Sequence, residues 1–289
     1  MTAPEIDLPA ALDGIRTTQP LIDAVTNAVT VNEVANIILH WGALPVMADD
    51  RREVAEMVAT SQGCLLNTGD VSEAGEETAL AAGRAANEHD VPVVLDPVGV
   101  GATPTRTAVI EHLLGDLDVT IISGNRAEIG AIAGIAGASE AGEGSEIRGV
   151  EAVGDGETGD LAAAALACAR EAGAVAVASG ETDVVADEDA AYAITAGYPM
   201  MGRVVGTGCT LGATLSVFAA SLDDPLAAAL AGTAAYGLAG EQAAAGEYGT
   251  YDGPASYEVA FHDAIAGLDA TDAPDEELGT RIERVATPE

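Results

Sequence analysis

Apolar runs of strand length alternate along the chain with longer segments whose apolar residues recur at helical spacing, the pattern of an α/β fold built on a mainly parallel sheet. Val31, Val34, Ala35 and Ile38 share one helical face, and Thr30 with Glu33 has the spacing of a capping box, which predicts a helix over residues 30–40 and a strand at ALPVMA. The same reading predicts a helix at REVAEMVATSQ, a strand at GCLLN, a helix at EAGEETALAAGRAANEHD with acids in its favoured first turn, and a buried strand at VPVVLD. Thr103 and Pro104 have the form of a cap and first residue of the next helix; DVTIIS follows as a strand and NRAEIGAIAG as a helix start. After a loop rich in Gly and Glu come a helix at LAAAALACAREAG and a strand at AVAVAS. DVVAD and AYAIT flank the short turn 188–190 and predict an antiparallel hairpin. The last third reads as helix: residues 209–220, a long run opened by Asp224 and Pro225, and SYEVAFHDAIAGL. No solenoid period and no long linker divides the chain, so a single α/β domain over residues 21–268 is expected, with an N-terminal segment 1–20 and an acidic C-terminal tail 269–289.

Composition sharpens this picture. Aromatic residues make up only 3% and hydrophobic residues 48%, so the core must be built from Ala, Val, Leu and Ile, which suits helices packed closely on a sheet. The 47 acidic against 11 basic residues give a formal charge of -36, which argues against nucleic acid as a partner because phosphate backbones are bound by clustered Lys and Arg. The acids are scattered, densest in residues 141–160 and in the tail. Such a charge reads as a solvated surface and, further, as adaptation to a salt-rich cytoplasm in which counter-ions screen self-repulsion. Cys64, Cys168 and Cys209 are odd in number and far apart, without a disulfide or zinc pattern. The first ten residues lack the basic and apolar regions of a secretory signal, and no charge-free stretch reaches membrane-spanning length, so a soluble cytoplasmic protein is expected.

In open α/β sheets ligands bind beyond the carboxyl ends of the strands. Four such junctions are chemically loaded: LDPVGVGAT around Asp96, ISGNRAEI around Asn125 and Glu128, ASGETD around Ser179, and VGTGCT around Cys209. Asp96 could form a turn or position a metal or a phosphate-bearing cofactor, whereas Asn125 and Glu128 have the spacing of a helix-start capping box. Gly206, Thr207 and Gly208 run into a helix, where backbone N–H groups would meet phosphate oxygens. The same helix end would lower the pKa of Cys209, leaving a nucleophile or base to be weighed against a small packed hydrophobe. The four histidines, His40, His89, His112 and His262, lie on helical patterns or at helix ends and none follows a strand, which disfavours a Cys-His hydrolase. A phosphotransferase needs an anion hole, a carboxylate-held Mg²⁺ and an acceptor for the hydroxyl proton, and these loops could supply all three.

Together with VTNAVTVNEVAN and GALPVMA, the segments LDPVGVGATPTRT, SGNRAEI and GTGCTLGA, in this order, resemble the hydroxyethylthiazole kinases of the ribokinase-like superfamily, which serve thiamine salvage. The resemblance implies a nine-stranded-type sheet flanked by helices and a homotrimer holding the thiazole between neighbouring subunits. It implies thiazole contacts from Asn27 and Met47, with Gly206 beside the hydroxyethyl arm. ATP would lie over Ser123, Asn125, Arg126 and Ser179, with Thr182 and Asp183 nearby. Asp96 and Glu128 would organise Mg²⁺ and the phosphates, and Gly206, Thr207 and Gly208 would form the anion hole. Cys209 stands where ribokinase-like enzymes commonly place an aspartate base. Either its thiolate accepts the substrate proton, or the anion hole does most of the work and the base matters little.

Two positions depart from the family pattern: Ser123 replaces an Arg that contacts ATP, with Arg126 just beyond, and Glu151 after Gly149 and Val150 replaces an Asp. A kinase for another small alcohol, such as hydroxymethylpyrimidine, is disfavoured by Cys209 and the VTNAVT segment. An inactive thiazole sensor is disfavoured by the presence of Asp96, Glu128 and the Gly-Thr-Gly turn.

Overall fold

The computed structural model describes residues 6–135, 146–148, 151–153, 158–269 and 280–286. Its elements, in chain order, begin with α1 (Leu8–Thr18), β1 (Leu21–Val25), α2 (Val31–His40), β2 (Leu44–Val46), α3 (Val54–Val58), β3 (Gly63–Asn67), α4 (Glu73–Glu88) and β4 (Val93–Asp96). The middle of the chain forms α5 (Pro104–Asp116), β5 (Ile121–Asn125), α6 (Arg126–Ile135), β6 (Glu146–Arg148), β7 (Glu151–Val153), α7 (Thr158–Ala172), β8 (Val175–Ser179), β9 (Asp183–Ala186) and β10 (Ala191–Ile194). After a short 3₁₀ turn come α8 (Thr207–Ala219), α9 (Pro225–Ala245), α10 (Pro254–Gly267) and β11 (Ile282–Ala286).

Nine strands form one sheet in the order β11-β10-β9-β8-β5-β4-β3-β1-β2, and β6 and β7 pair separately. From β2 to β8 neighbouring strands are parallel; β8, β9, β10 and β11 pair antiparallel. Alternation along each strand feeds two cores. Ile22, Ala24, Leu65 and Val94 face α1, α2, α8, α9 and α10, while Val25, Cys64, Leu66 and Leu95 face α3 to α7. Many of the packed helix positions are alanine, which brings helix and sheet backbones close and compensates in contact density for the scarcity of aromatic rings.

Several elements follow the sequence reading: the hairpin of β9 and β10, the Thr103 cap of α5, which accepts from Arg106 N–H at 3.2 Å, and the Asp224 cap of α9, which accepts from Leu226 N–H at 3.0 Å. Others correct it. No side-chain capping bond forms at Thr30; its hydroxyl instead accepts from Asn27 Nδ2 at 2.9 Å. The helix expected at REVAEMVATSQ is only α3, and α8 starts at Thr207, before Cys209. Five elements were not anticipated, among them β6 and β7, which pair antiparallel within the segment read as a Gly- and Glu-rich loop. α1 buries Leu8, Leu12 and Ile15 against the core, β1 lies inside the sheet, and β11 pairs with β10 at its edge.

One contact bears directly on the site. Trp41, just after α2, donates from its indole N–H to Thr214 Oγ1 of α8 at 2.9 Å and meets Phe218 edge-on at 5.5 Å between centroids. This locks the helix that follows Asn27 against the helix that carries Cys209.

Candidate active site

The carboxyl ends of the parallel strands converge with the first turn of α8. Asp96 closes β4 and is only 4% exposed. Asn67 closes β3 directly opposite it in register and donates from Nδ2 to Asp96 Oδ2 at 2.5 Å. Asn67 Oδ1 in turn accepts from Gly69 N–H at 3.0 Å and from Asn27 Nδ2 at 2.8 Å. Asn27 also reaches Cys209 Sγ at 3.6 Å, and its Oδ1 accepts the N–H groups of Val29 and Thr30 at 3.0 and 3.1 Å. The Asn27 amide therefore shapes the turn 27–30 and links Asp96, through Asn67, to the thiol.

Gly206 holds α8 against this turn. Its φ of +88° is a left-handed conformation, and a Cβ there would lie 2.6 Å from Thr30 Cγ2, so both conformation and proximity require glycine. Thr207 starts the helix without a side-chain cap, and the first i to i−4 bond is from Thr210 N–H to Gly206 O at 2.9 Å. The N–H groups of Thr207, Gly208 and Cys209 thus precede the helical ladder at its positive end, where an anion is favoured. Tyr236 steadies the turn: its hydroxyl donates to Thr207 O at 2.8 Å and lies 2.6 Å from Thr210 Oγ1.

Glu128 forms the capping box expected with Asn125: its Oε2 accepts Asn125 N–H at 2.8 Å, and Asn125 Oδ1 accepts Glu128 N–H at 3.1 Å. Its Oε1 accepts Gly99 N–H at 2.6 Å, so Glu128 also ties the loop after Asp96 to the start of α6. Burial, then the charge of Glu128, raise the Asp96 pKa well above the usual carboxylate range, against hydrogen bonds from Asn67 and Cys209. Two buried carboxylates that repel one another suit a cation, and Mg²⁺ characteristically takes one or two carboxylates with phosphate oxygens and water. Among the described residues no three His, Cys, Asp or Glu side chains are grouped to hold a metal by themselves.

The thiol behaves differently from the expectation. Burial and the charge of Asp96 push Cys209 up to about 11 despite hydrogen bonds from Thr30, Asn67 and Asn27. The helix-end argument counted the dipole and missed these two opposing causes.

Of the residues expected around ATP, Asn125 and Ser179 are register partners at the ends of β5 and β8, with Ser179 Oγ donating to Gly124 O at 3.3 Å. Arg126 opens α6. Thr182 immediately precedes Asp183 in the turn into β9, and Asp183 Oδ1 accepts Gly180 N–H at 2.9 Å while burial raises its carboxyl to about 7. Ser123 is buried inside β5 opposite Val177, two residues before the strand end. Met47 follows edge strand β2 and packs, half-buried, against the core that contains α8. Gly149 and Val150 lie outside the described residues.

Sequence reading missed Asn67, Arg106 and Asp23. Asn67 had a usable signal, a polar residue closing the strand GCLLN. Arg106 donates to the carbonyls of Thr68, Val98 and Gly69, and nothing in its spacing announces that. Asp23 is fully buried in β1: its Oδ1 accepts Ala48 N–H at 3.1 Å, its Oδ2 has no hydrogen-bond partner among the described residues, and burial raises its pKa to about 7.

The hydroxyethylthiazole kinase family model matches residues 12–271. The hydroxyethylthiazole kinase of Natronomonas pharaonis is 59% identical over 282 residues, spanning 97% of this chain and 96% of its own. Among solved structures, the hydroxyethylthiazole kinase protein of Pyrococcus horikoshii OT3 superposes with a TM-score of 0.80 at 29% identity, over 96% of this chain and 99% of that one. A ribokinase-like superfamily protein of Enterococcus faecalis V583 shares the fold at a TM-score of 0.58 and 11% identity, over 86% of this chain and 87% of that one. The fold is ribokinase-like, and the chain belongs to the hydroxyethylthiazole kinase family.

Proposed function

We propose that the protein transfers the γ-phosphoryl group of ATP to the hydroxyl of 4-methyl-5-(2-hydroxyethyl)thiazole, the salvage step of thiamine biosynthesis. The observation that carries this reading is the junction of Asp96, Asn67, Asn27 and Cys209 with the uncapped first turn of α8, in a chain of this family.

In this reading the N–H groups of Thr207, Gly208 and Cys209 receive the charge that develops on the moving phosphoryl oxygens. Asp96, with Glu128 bracing the adjoining loop, holds Mg²⁺ with the phosphates. Bound there, Mg²⁺ supplies charge neutralisation for the transfer. Asn125, Arg126, Ser179, Thr182 and Asp183 surround the nucleotide, with Ser123 behind them in β5. Asn27 and Met47 wall the thiazole, and Gly206, lacking a side chain, leaves room for the hydroxyethyl arm. Because the thiol is pushed up to about 11, Cys209 serves as a packing and hydrogen-bonding neighbour of the hydroxyl rather than as a preformed thiolate. The hydroxyl proton leaves late, to the transferred phosphoryl oxygens, as a loose transition state allows.

The assembly is a homotrimer. Val29 and Val205 are 70% and 77% exposed and lie beside Thr30 and Gly206, which touch across the site. Such an apolar rim at its mouth supports a neighbouring subunit completing the thiazole pocket. The net charge of -36 supports work in a salt-rich cytoplasm, and no described helix is long and apolar enough to cross a membrane. Phosphorylation of the thiazole by purified protein with ATP and Mg²⁺ tests the reading.

A further inference from the structure

Arg106 lies in the first turn of α5, in the TPTRT segment that the proposed mechanism leaves without a role. Its partners among the described residues are backbone carbonyls: Nη1 donates to Val98 O at 2.7 Å and to Thr68 O at 3.0 Å, and Nη2 to Gly69 O at 3.0 Å. In a chain with 11 basic residues against 47 acids, this guanidinium is spent on loop geometry, not on an ion pair.

The carbonyls belong to two loops. Residues 68–69 follow β3, whose last residue, Asn67, holds Asp96 Oδ2. Residues 97–99 follow β4 and Asp96 itself, and the Gly99 N–H donates to Glu128 Oε1 at 2.6 Å. Thr68 N–H and Val98 N–H both donate to Asp96 O, at 3.0 and 2.9 Å. Arg106 gathers the carbonyls of those same two residues, together with that of Gly69. A planar fork can bind acceptors on both loops at fixed separation, which the single ammonium of lysine cannot reproduce.

We infer that Arg106 is a positioning residue for the metal-phosphate end of the site: it cross-links the loops after β3 and β4 and so fixes Asp96 relative to Glu128. This rests on the reading of those two acids given above. Its effect is larger on the nucleotide side, because Val98 O and Thr68 O belong to residues whose N–H groups hold Asp96 O, whereas the turn 27–30 is met only through Gly69, which packs on Asn27, and Asp70, which accepts Ala28 N–H at 2.7 Å.

The test compares wild type, Arg106→Lys and Arg106→Ala in molar KCl. Calorimetry with Mg·ADP, steady-state KM for Mg·ATP and for the thiazole, and the thermal midpoint are measured for each. Both variants are expected to bind Mg·ADP at least tenfold more weakly and to show a matching rise in KM for Mg·ATP. The thiazole KM should rise clearly less than the KM for Mg·ATP, and the Arg106→Lys midpoint should stay within a few degrees of wild type. Millimolar guanidinium should restore part of the Mg·ADP affinity of Arg106→Ala where equal KCl does not. Unchanged Mg·ADP affinity in Arg106→Lys overturns the inference, as does a parallel loss of affinity for both substrates that tracks a lowered midpoint. Wild-type behaviour tests the kinase reading separately: wild type that binds Mg·ADP but leaves the thiazole unphosphorylated refutes the proposed substrate, while the variants still read Arg106.

Discussion

Raising the pH separates the two roles open to Cys209. With its thiol pushed up to about 11, roughly one molecule in 3,000 carries a thiolate at pH 7.5. A cation on Asp96 would remove the second cause of that shift, the carboxylate charge, and leave burial, the larger one. If a preformed thiolate were the base, kcat at saturating substrates would climb about tenfold per pH unit from 7 towards 10. The mechanism proposed here places the work in the anion hole and the metal-phosphate clamp. It therefore predicts less than about a threefold change in kcat between pH 7.5 and 9.5, and a loss within about tenfold for Cys209→Ser, well short of the hundredfold or more that a general base contributes. Cys209→Asp should retain or improve turnover. The assay is the initial rate of thiazole phosphate formation at saturating ATP, Mg²⁺ and thiazole, in buffers of equal ionic strength. A unit slope of log kcat against pH that disappears in Cys209→Ser refutes this reasoning and makes the thiolate the base.

Four further outcomes are expected. Asp23, raised from 3.8 to about 7, has a folded-state pKa above its unfolded one, so its contribution is full below about pH 4 and is lost as pH rises through 7, by at most about 4 kcal/mol. Asp23→Asn should therefore raise the thermal midpoint at pH 8, keep less than half of that advantage at pH 5 and lose nearly all of it at pH 4; an equal shift at pH 8 and pH 4 would contradict the assignment. Gly206→Ala, with its Cβ 2.6 Å from Thr30 Cγ2 and φ at +88°, should cost about 1–2 kcal/mol of stability from backbone conformation alone and lower turnover at least tenfold. Gly208→Ala, which meets nothing within 4 Å, should keep its unfolding midpoint. Dilution from molar to 0.1 M KCl should unfold the protein reversibly, read by circular dichroism, because 47 acids face only 11 bases and lose their screening; full stability at low salt would remove the halophilic reading.

Much of the fold was legible because local and global signals agreed. Thr103 and Pro104 start α5, Asp224 and Pro225 start α9, and the runs on either side of the turn 188–190 pair as β9 and β10. Elements were missed where charge interrupts the pattern. β1 carries Asp23 in the middle of an apolar strand, and β11, IERVA, at the edge of the sheet, carries charged residues at positions that are not buried. The four loaded junctions were visible because strand ends in such sheets face the ligand. Their wiring was not: Asn67 joins Asp96 to Asn27 across 29 and 40 residues of sequence, and Asn27 takes the Thr30 hydroxyl that a local rule had assigned to a capping box. The elevated Cys209 pKa has the same origin, since burial and the proximity of Asp96 are properties of the packed site and not of the helix end.

The most direct measurement is the mass of the product when the purified protein is mixed with ATP, Mg²⁺ and 4-methyl-5-(2-hydroxyethyl)thiazole in molar KCl, with Asp96→Ala as the control. The account predicts the thiazole phosphate and ADP in equal amounts from wild type, and a loss of at least a hundredfold in rate from folded Asp96→Ala. Wild-type protein that is folded and trimeric and yet leaves the thiazole unphosphorylated would contradict it.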